Sequence, residues 1–198
     1  MEDMTPKIAE TIIQELKKKD IVFEKGLTDD EIASIQKLFN IIFPPDLTVF
    51  LQTALPVSEK FVNWRRALLS EREQEHIVSR LEWPVEGILF DISNDKFWPE
   101  SWNSKPPYLE DQFEVAKQHF STYPTLVPIY SHRYIPSSPL ESGNPVFSVY
   151  QSDIICYGND LAAYFSNEFK FDMPDPISVA SVPKEIPFWT TCVNMNNS

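Results

Sequence analysis

Gly143-Asn144-Pro145-Val146-Phe147-Ser148-Val149-Tyr150-Gln151-Ser152-Asp153-Ile154-Ile155-Cys156-Tyr157-Gly158-Asn159-Asp160-Leu161 is the stretch whose reading decides the fold class. Turn formers open it. Two runs of β-branched and aromatic residues follow, separated by Gln151-Ser152-Asp153, which is the pattern of a β-hairpin. Gly158 and Asn159 close the second strand. Asp160 then stands where an N-cap belongs, ahead of Leu161, Tyr164, Phe165 and Phe169 at helical spacing. A hairpin feeding directly into a short amphipathic helix predicts an α+β fold. The stretch holds no nucleophile–base pair and no metal-ligand spacing, which favours a binding module over an enzyme.

Working outward, Thr5-Pro6 opens a first helix with Pro where its missing N–H is harmless, and Ile8, Ile12, Ile13 and Leu16 stripe it. Lys17-Lys18-Lys19 sits at its C-terminal end, where cations favour the helix dipole. Thr28-Asp29-Asp30-Glu31 is a capping box, with Leu27 placed as a hydrophobic staple and Ile32, Ile35, Leu38 and Phe39 on one face. Phe43-Pro44-Pro45-Asp46 breaks that helix and starts another carrying Leu47, Phe50 and Leu51, stopped at Pro56. Phe61 to Arg66 forms an aromatic–basic knot centred on Asn63, Trp64 and Arg65.

Beyond the knot, a helix is expected from about Ser70 to Glu82, then a strand over Gly87-Ile88-Leu89-Phe90-Asp91-Ile92. Phe97, Trp98 and Trp102 fall in a loop, and Leu109 to Phe120 forms another helix. Thr125 to Tyr130 reads as a strand interrupted by Pro128, hence at an edge or a bulge. In His132-Arg133-Tyr134, strand alternation puts His132 and Tyr134 on one face and Arg133 on the other. After Phe171 the prolines describe a surface segment ending in Ile186-Pro187-Phe188-Trp189, able to start a short docking helix, with frayed residues from Asn194 onward.

Composition bounds the function. The 198 residues carry a net charge of −12, with 42% hydrophobic and 13% aromatic residues. That length suits one domain with an aromatic-rich core. No apolar run approaches the roughly 20 residues of a membrane span. The acidic start Met1-Glu2-Asp3-Met4 does not read as a secretory signal. The two cysteines, Cys156 and Cys192, make no disulfide framework, so a cytoplasmic protein with free thiols is expected. There is no basic patch for nucleic acid, and the four glycines form no phosphate-binding loop. Among three histidines, His76, His119 and His132, no metal-like spacing occurs, and no CxxC, HExxH or GxSxG motif is present. No cofactor, metal or catalytic residue is assigned.

Charge is unevenly spread. Glu82, Glu86, Asp91, Asp95, Glu100, Glu110, Asp111 and Glu114 have only Lys96 and Lys105 among them. Such a face can steer a basic protein partner onto the domain. The candidate partner-binding residues are Trp64, Arg65, Asp91, Asp95, Trp98, Glu100, Trp102, His132, Arg133 and Tyr134. Exposed Trp, Tyr and Arg supply most of an interface's energy, and acidic neighbours guide the encounter. The competing reading is that Trp64, Trp98 and Trp102 are core. Asp91 and Asp95 beside Trp98 and Trp102 also admit a carbohydrate-active enzyme.

The order of capping-box helix, Phe43-Pro44-Pro45-Asp46 turn into Leu47 to Leu51, hairpin, and Tyr157-Gly158-Asn159-Asp160-Leu161-Ala162-Ala163-Tyr164-Phe165 resembles the SMI1/KNR4 superfamily, also called SUKH. Asn63-Trp64-Arg65, Ile129 to Pro136 and Gly143 to Leu161 resemble elements of a longer bacterial subgroup. Where many members carry a glycine-rich turn, this chain has Ala54-Leu55-Pro56-Val57. The resemblance covers residues 27–170, with 1–26 a lead-in helix and 171–198 a proline-rich tail packing on the domain. It implies one central antiparallel sheet flanked by helices. It also implies a non-catalytic immunity protein that neutralises a toxin, often a nuclease, or alternatively a regulatory scaffold of cell-wall synthesis or signalling.

Overall fold

In the computed structural model, which describes residues 4–174, 177 and 179–196, the hairpin and its following helix form as the local signals require. Strands β5 (Val146–Tyr150) and β6 (Asp153–Gly158) pair antiparallel, turning at Gln151 with φ of 56°. Asp160 caps α7 (Leu161–Phe169), its Oδ1 accepting from the Ala163 N–H at 2.7 Å. Upstream, Thr5 caps α1 (Pro6–Lys17), and the Thr28–Glu31 capping box starts α2 (Asp29–Phe39) with both reciprocal bonds made. Leu27 and Ile32 bury together beneath it.

The remaining elements are β1 (Phe23–Lys25), α3 (Pro45–Thr53), β2 (Ala54–Pro56), α4 (Trp64–Ala67), α5 (Glu71–Ser93), a 3₁₀ turn (Glu100–Trp102), α6 (Leu109–Phe120), β3 (Leu126–Tyr130), β4 (Arg133–Pro136) and α8 (Trp189–Asn196). The fold is α+β. One antiparallel sheet runs β3-β4-β5-β6, and β1 and β2 make a separate two-stranded ribbon. That ribbon pairs the lead-in strand β1 with β2 of the domain.

Side-chain alternation along the four-stranded sheet divides its faces. Val127, Ile129, Ile135 and Val146 join an apolar layer with α1, α2, α3, α4 and α7. Leu126, Tyr134, Phe147, Val149 and Ile154 join a second layer with the distal half of α5, α6 and α8. The C-terminal segment therefore builds core rather than only covering it. Trp189 is buried and its Nε1 donates to the Pro124 carbonyl at 2.8 Å.

Both sheet edges are blocked. Pro128 removes a donor from edge strand β3, and Phe61 bridges Tyr130 at its end. At the other edge, Asn196 Nδ2 donates to the Ser152 and Ile154 carbonyls at 3.0 and 3.1 Å.

Two expectations are overturned: residues 194–196 are not frayed but end α8, with Asn196 bonded to the hairpin, and a predicted strand is absent. The segment Gly87–Ile92 is not a strand; it is the last part of α5, which continues from Glu71 through Pro84 to Ser93. Proline at 84 cannot donate to the carbonyl of Arg80, and an orphaned buried carbonyl is costly. The Tyr134 hydroxyl supplies the missing donor, bonding the Arg80 carbonyl at 3.0 Å. Gly87, the other apparent breaker, is where α5 meets the hairpin turn. A Cβ there would lie 2.8 Å from the Gln151 Cα. One turn on, Asp91 Oδ2 accepts from the Ser152 N–H at 2.9 Å and its hydroxyl at 2.6 Å, fastening helix to hairpin.

Candidate functional site

Of the candidate residues read from the sequence, His132 and Tyr134 line one groove and the others lie apart from it. Trp64 is 2% exposed and packs edge-on against Phe39 and Phe43, with ring centroids 5.9 and 5.0 Å away. Arg65 is spent on structure. Its Nε and Nη2 grip Glu31 at 2.6 and 3.1 Å, and its remaining donors take Glu24 and the Lys25 and Gly26 carbonyls. That pairing holds the Glu31 carboxyl down at about 2. Tyr134 and Trp102 are core. Trp102 Nε1 donates to the Tyr123 hydroxyl at 3.0 Å. Arg133 is buried beneath Tyr157, 4.0 Å from its ring, and bonds Glu168 at 2.8 Å and Ser148 at 2.9 Å.

Asp91 is 4% exposed and committed to Ser152, so it is neither a steering charge nor free for glycoside chemistry. Trp98 is half-buried, and its Nε1 donates to the Asn103 carbonyl at 3.1 Å. Asp95 and Glu100 are exposed, with Asp95 paired to Lys105. His132 is exposed, and burial of its ring together with the neighbouring Arg133 pulls its pKa down. Of the ten candidates, Asp95, Glu100 and His132 are thus the exposed ones.

The structure instead forms a surface groove between α5 and the β5–β6 hairpin. One section, about 420 Å³, is lined by His76, Ser79, Arg80, Trp83, Ser131, His132, Tyr134 and Tyr150. A second, about 270 Å³, shares Trp83 and Tyr150 and adds Glu86, Gly87, Phe90 and Gln151. On α5 the lining residues His76, Arg80, Trp83, Gly87 and Phe90 fall at helical spacing along one stripe. Trp83, Phe90 and Tyr150 are 46%, 52% and 59% exposed. Among the described residues none of these three rings touches another aromatic ring, whereas Trp64, Trp102 and Trp189 each do. Arg80 forms the floor of the groove, donating to the Lys60 and Ser131 carbonyls at 3.2 and 2.6 Å.

The groove is hidden in the sequence because the expected helix ends at Glu82, inside it, before Trp83, Glu86, Gly87 and Phe90. Two signals in the sequence could have exposed it. Ile77, Leu81, Pro84, Ile88 and Ile92 keep an unbroken helical spacing, and Trp83 and Phe90 lie seven apart on the opposite stripe.

Among the described residues no group of His, Cys, Asp or Glu is arranged to hold a metal. Among the described residues, Asp46 is the carboxylate raised strongly, to about 6, by its burial. Its oxygens already hold the Leu47 and Gly143 N–H groups, and it does not line the groove. No helix among the described residues is long and apolar enough to cross a membrane. The chain matches no protein-family model, no curated protein and no solved structure.

Proposed function

We propose that this chain is a non-catalytic protein-binding module whose partner is a basic protein. In the form implied by the SMI1/KNR4 resemblance, it is an immunity protein that neutralises a toxin, a nuclease being the case its charge suits best. The observation that carries the reading is the groove: three exposed aromatic rings, Trp83, Phe90 and Tyr150, left open on a chain of net charge −12. Exposed aromatics supply anchoring energy, and excess negative charge accelerates encounter with a cationic surface. The polar side chains that would otherwise suggest chemistry, Arg65, Asp91 and Arg133, are consumed by structural bonds.

Sequencing the neighbouring genes and titrating, by calorimetry, any basic toxin domain they encode against this chain tests the reading. A one-to-one complex that silences the nuclease and weakens steeply with salt is the expected result. No complex at tens of micromolar protein would end the immunity reading.

A further inference from the structure

The groove has a length, a pattern of anchors and a rim of charge. The stripe from His76 to Phe90 covers fourteen helical steps of α5, about 21 Å at 1.5 Å per residue. Trp83 and Phe90 are two turns apart, about 10 Å, on one wall, with Tyr150 of the hairpin on the other.

The rim is acidic. Glu86 lines the groove, and Glu82 stands one turn before it, exposed, making a like-charged i, i+4 pair. Asp153 is the cross-strand partner of Tyr150, so both side chains project from the same face of the hairpin. Among the described residues, none of Glu82, Glu86 and Asp153 is in an ion pair.

We infer that this groove docks an amphipathic, basic α-helix of a protein partner. The helix would lay its apolar stripe on Trp83, Phe90 and Tyr150 and direct flanking Lys or Arg side chains at Glu82, Glu86 and Asp153. The inference rests on the protein-binding reading and names its surface and the chemistry of its partner. A groove of this length matches about four turns of helix, the helix-in-groove mode of recognition. An added β-strand is disfavoured because Pro128 and Asn196 block the two sheet edges. A second copy is disfavoured because two chains of charge −12 would meet acidic rim to acidic rim. An anionic lipid surface is disfavoured for the same reason.

The test uses the full chain and fluorescein-labelled synthetic peptides of sixteen residues: a Leu/Lys amphipathic helix, its Leu/Glu twin, and an all-Lys peptide. Anisotropy should show the Leu/Lys helix binding at least tenfold tighter than either control. Trp83→Ala and Phe90→Ala should each weaken it at least fivefold, with melting temperatures lowered by no more than about 4 °C because both side chains are about half exposed. The pair Asp95→Lys and Glu100→Lys, away from the groove, should change it less than twofold. Leu/Lys binding that ignores Trp83→Ala and Phe90→Ala but falls with the Asp95 and Glu100 reversals would overturn the groove and leave the protein-binding reading standing. Equal affinity for all three peptides would overturn the stated partner chemistry. Failure of every cationic peptide, together with failure of the nuclease titration, would remove both. Sedimentation showing a dimer of the free chain that Trp83→Ala dissolves would assign the groove to a second copy and overturn the inference.

Discussion

Two tryptophans of this chain, nineteen positions apart, have opposite roles. Trp64 lies in the aromatic–basic knot, sealed by Phe39 and Phe43, beside an Arg65 whose donors are engaged by Glu31, Glu24 and two backbone carbonyls. Trp83 lies on the outer stripe of α5 with Phe90, facing Tyr150 of β5 across an open groove bordered by carboxylates that make no ion pair among the described residues. By composition the two regions are alike, each combining aromatics with charge. What separates them is which helical face each residue occupies and whether its charges are already satisfied. A cluster whose polar atoms are fully used stabilises the fold; one whose aromatics and carboxylates lack contacts among the described residues is the one proposed above to take another molecule.

The sharpest way to break this contrast is truncation at the two tryptophans. Trp64→Ala removes a fully buried indole and leaves a cavity, which should cost about 3–5 kcal/mol in urea unfolding. Trp83→Ala removes a side chain 46% exposed and should cost less than about 1 kcal/mol. Equal costs would mean that Trp83 is also structural and that the groove is only core cover.

Acid titration probes the knot's charges. Glu31 is held at about 2 against an ordinary 4.5, chiefly by its bond to Arg65. A depressed carboxylate adds stability that is complete above its unfolded value and disappears as pH falls through its folded value. Glu31 should therefore contribute fully above about pH 4.5 and lose its contribution between there and pH 2. The full shift corresponds to about 3 kcal/mol, reduced to roughly 1–3 because the side chain is 23% exposed and screened by solvent. Urea midpoints measured from pH 6 to pH 2.5 should fall more steeply for the wild type than for Glu31→Gln. Parallel curves would show that the knot is held by its rings and not by its ion pair.

The readability of the sequence followed the range of the interactions involved. The Thr28–Glu31 box, the Asp160 cap and the turn at Gln151 each depend on residues within a few positions, and all three were legible. Pro128 was legible as an irregularity because a missing N–H has the same consequence in any strand. The division of α5 was misread because Pro84 and Gly87 are helix breakers by local rules. What cancels them is distant: the Tyr134 hydroxyl from β4 and the hairpin backbone at Gln151. Losing the helix also lost the groove, since Trp83 and Phe90 share a face only if α5 is continuous. The choice between core and surface for Trp64, Trp102 and Tyr134 was equally beyond local reading, because burial is decided by which layers of the fold meet there.

That continuity supports the comparison from beneath and gives its finest test. If the Tyr134 hydroxyl is the substitute donor for Pro84, the two residues are energetically coupled. Tyr134→Phe alone should cost about 1–2 kcal/mol, because the buried Arg80 carbonyl then has no partner. Pro84→Ala returns a backbone N–H at position 84, which can bond that carbonyl in the ordinary i to i−4 fashion. In the Pro84→Ala background, Tyr134→Phe should therefore cost less than about 0.5 kcal/mol, giving a coupling of about 1 kcal/mol in a double-mutant cycle. The same loss in both backgrounds would show that the hydroxyl acts elsewhere. The helix would then cross Pro84 for some other reason, and the alignment of Trp83 with Phe90 would need a different support. A coupling of the expected size would tie a core tyrosine of the sheet to the face that α5 turns outward, linking the buried side of the molecule to its open groove.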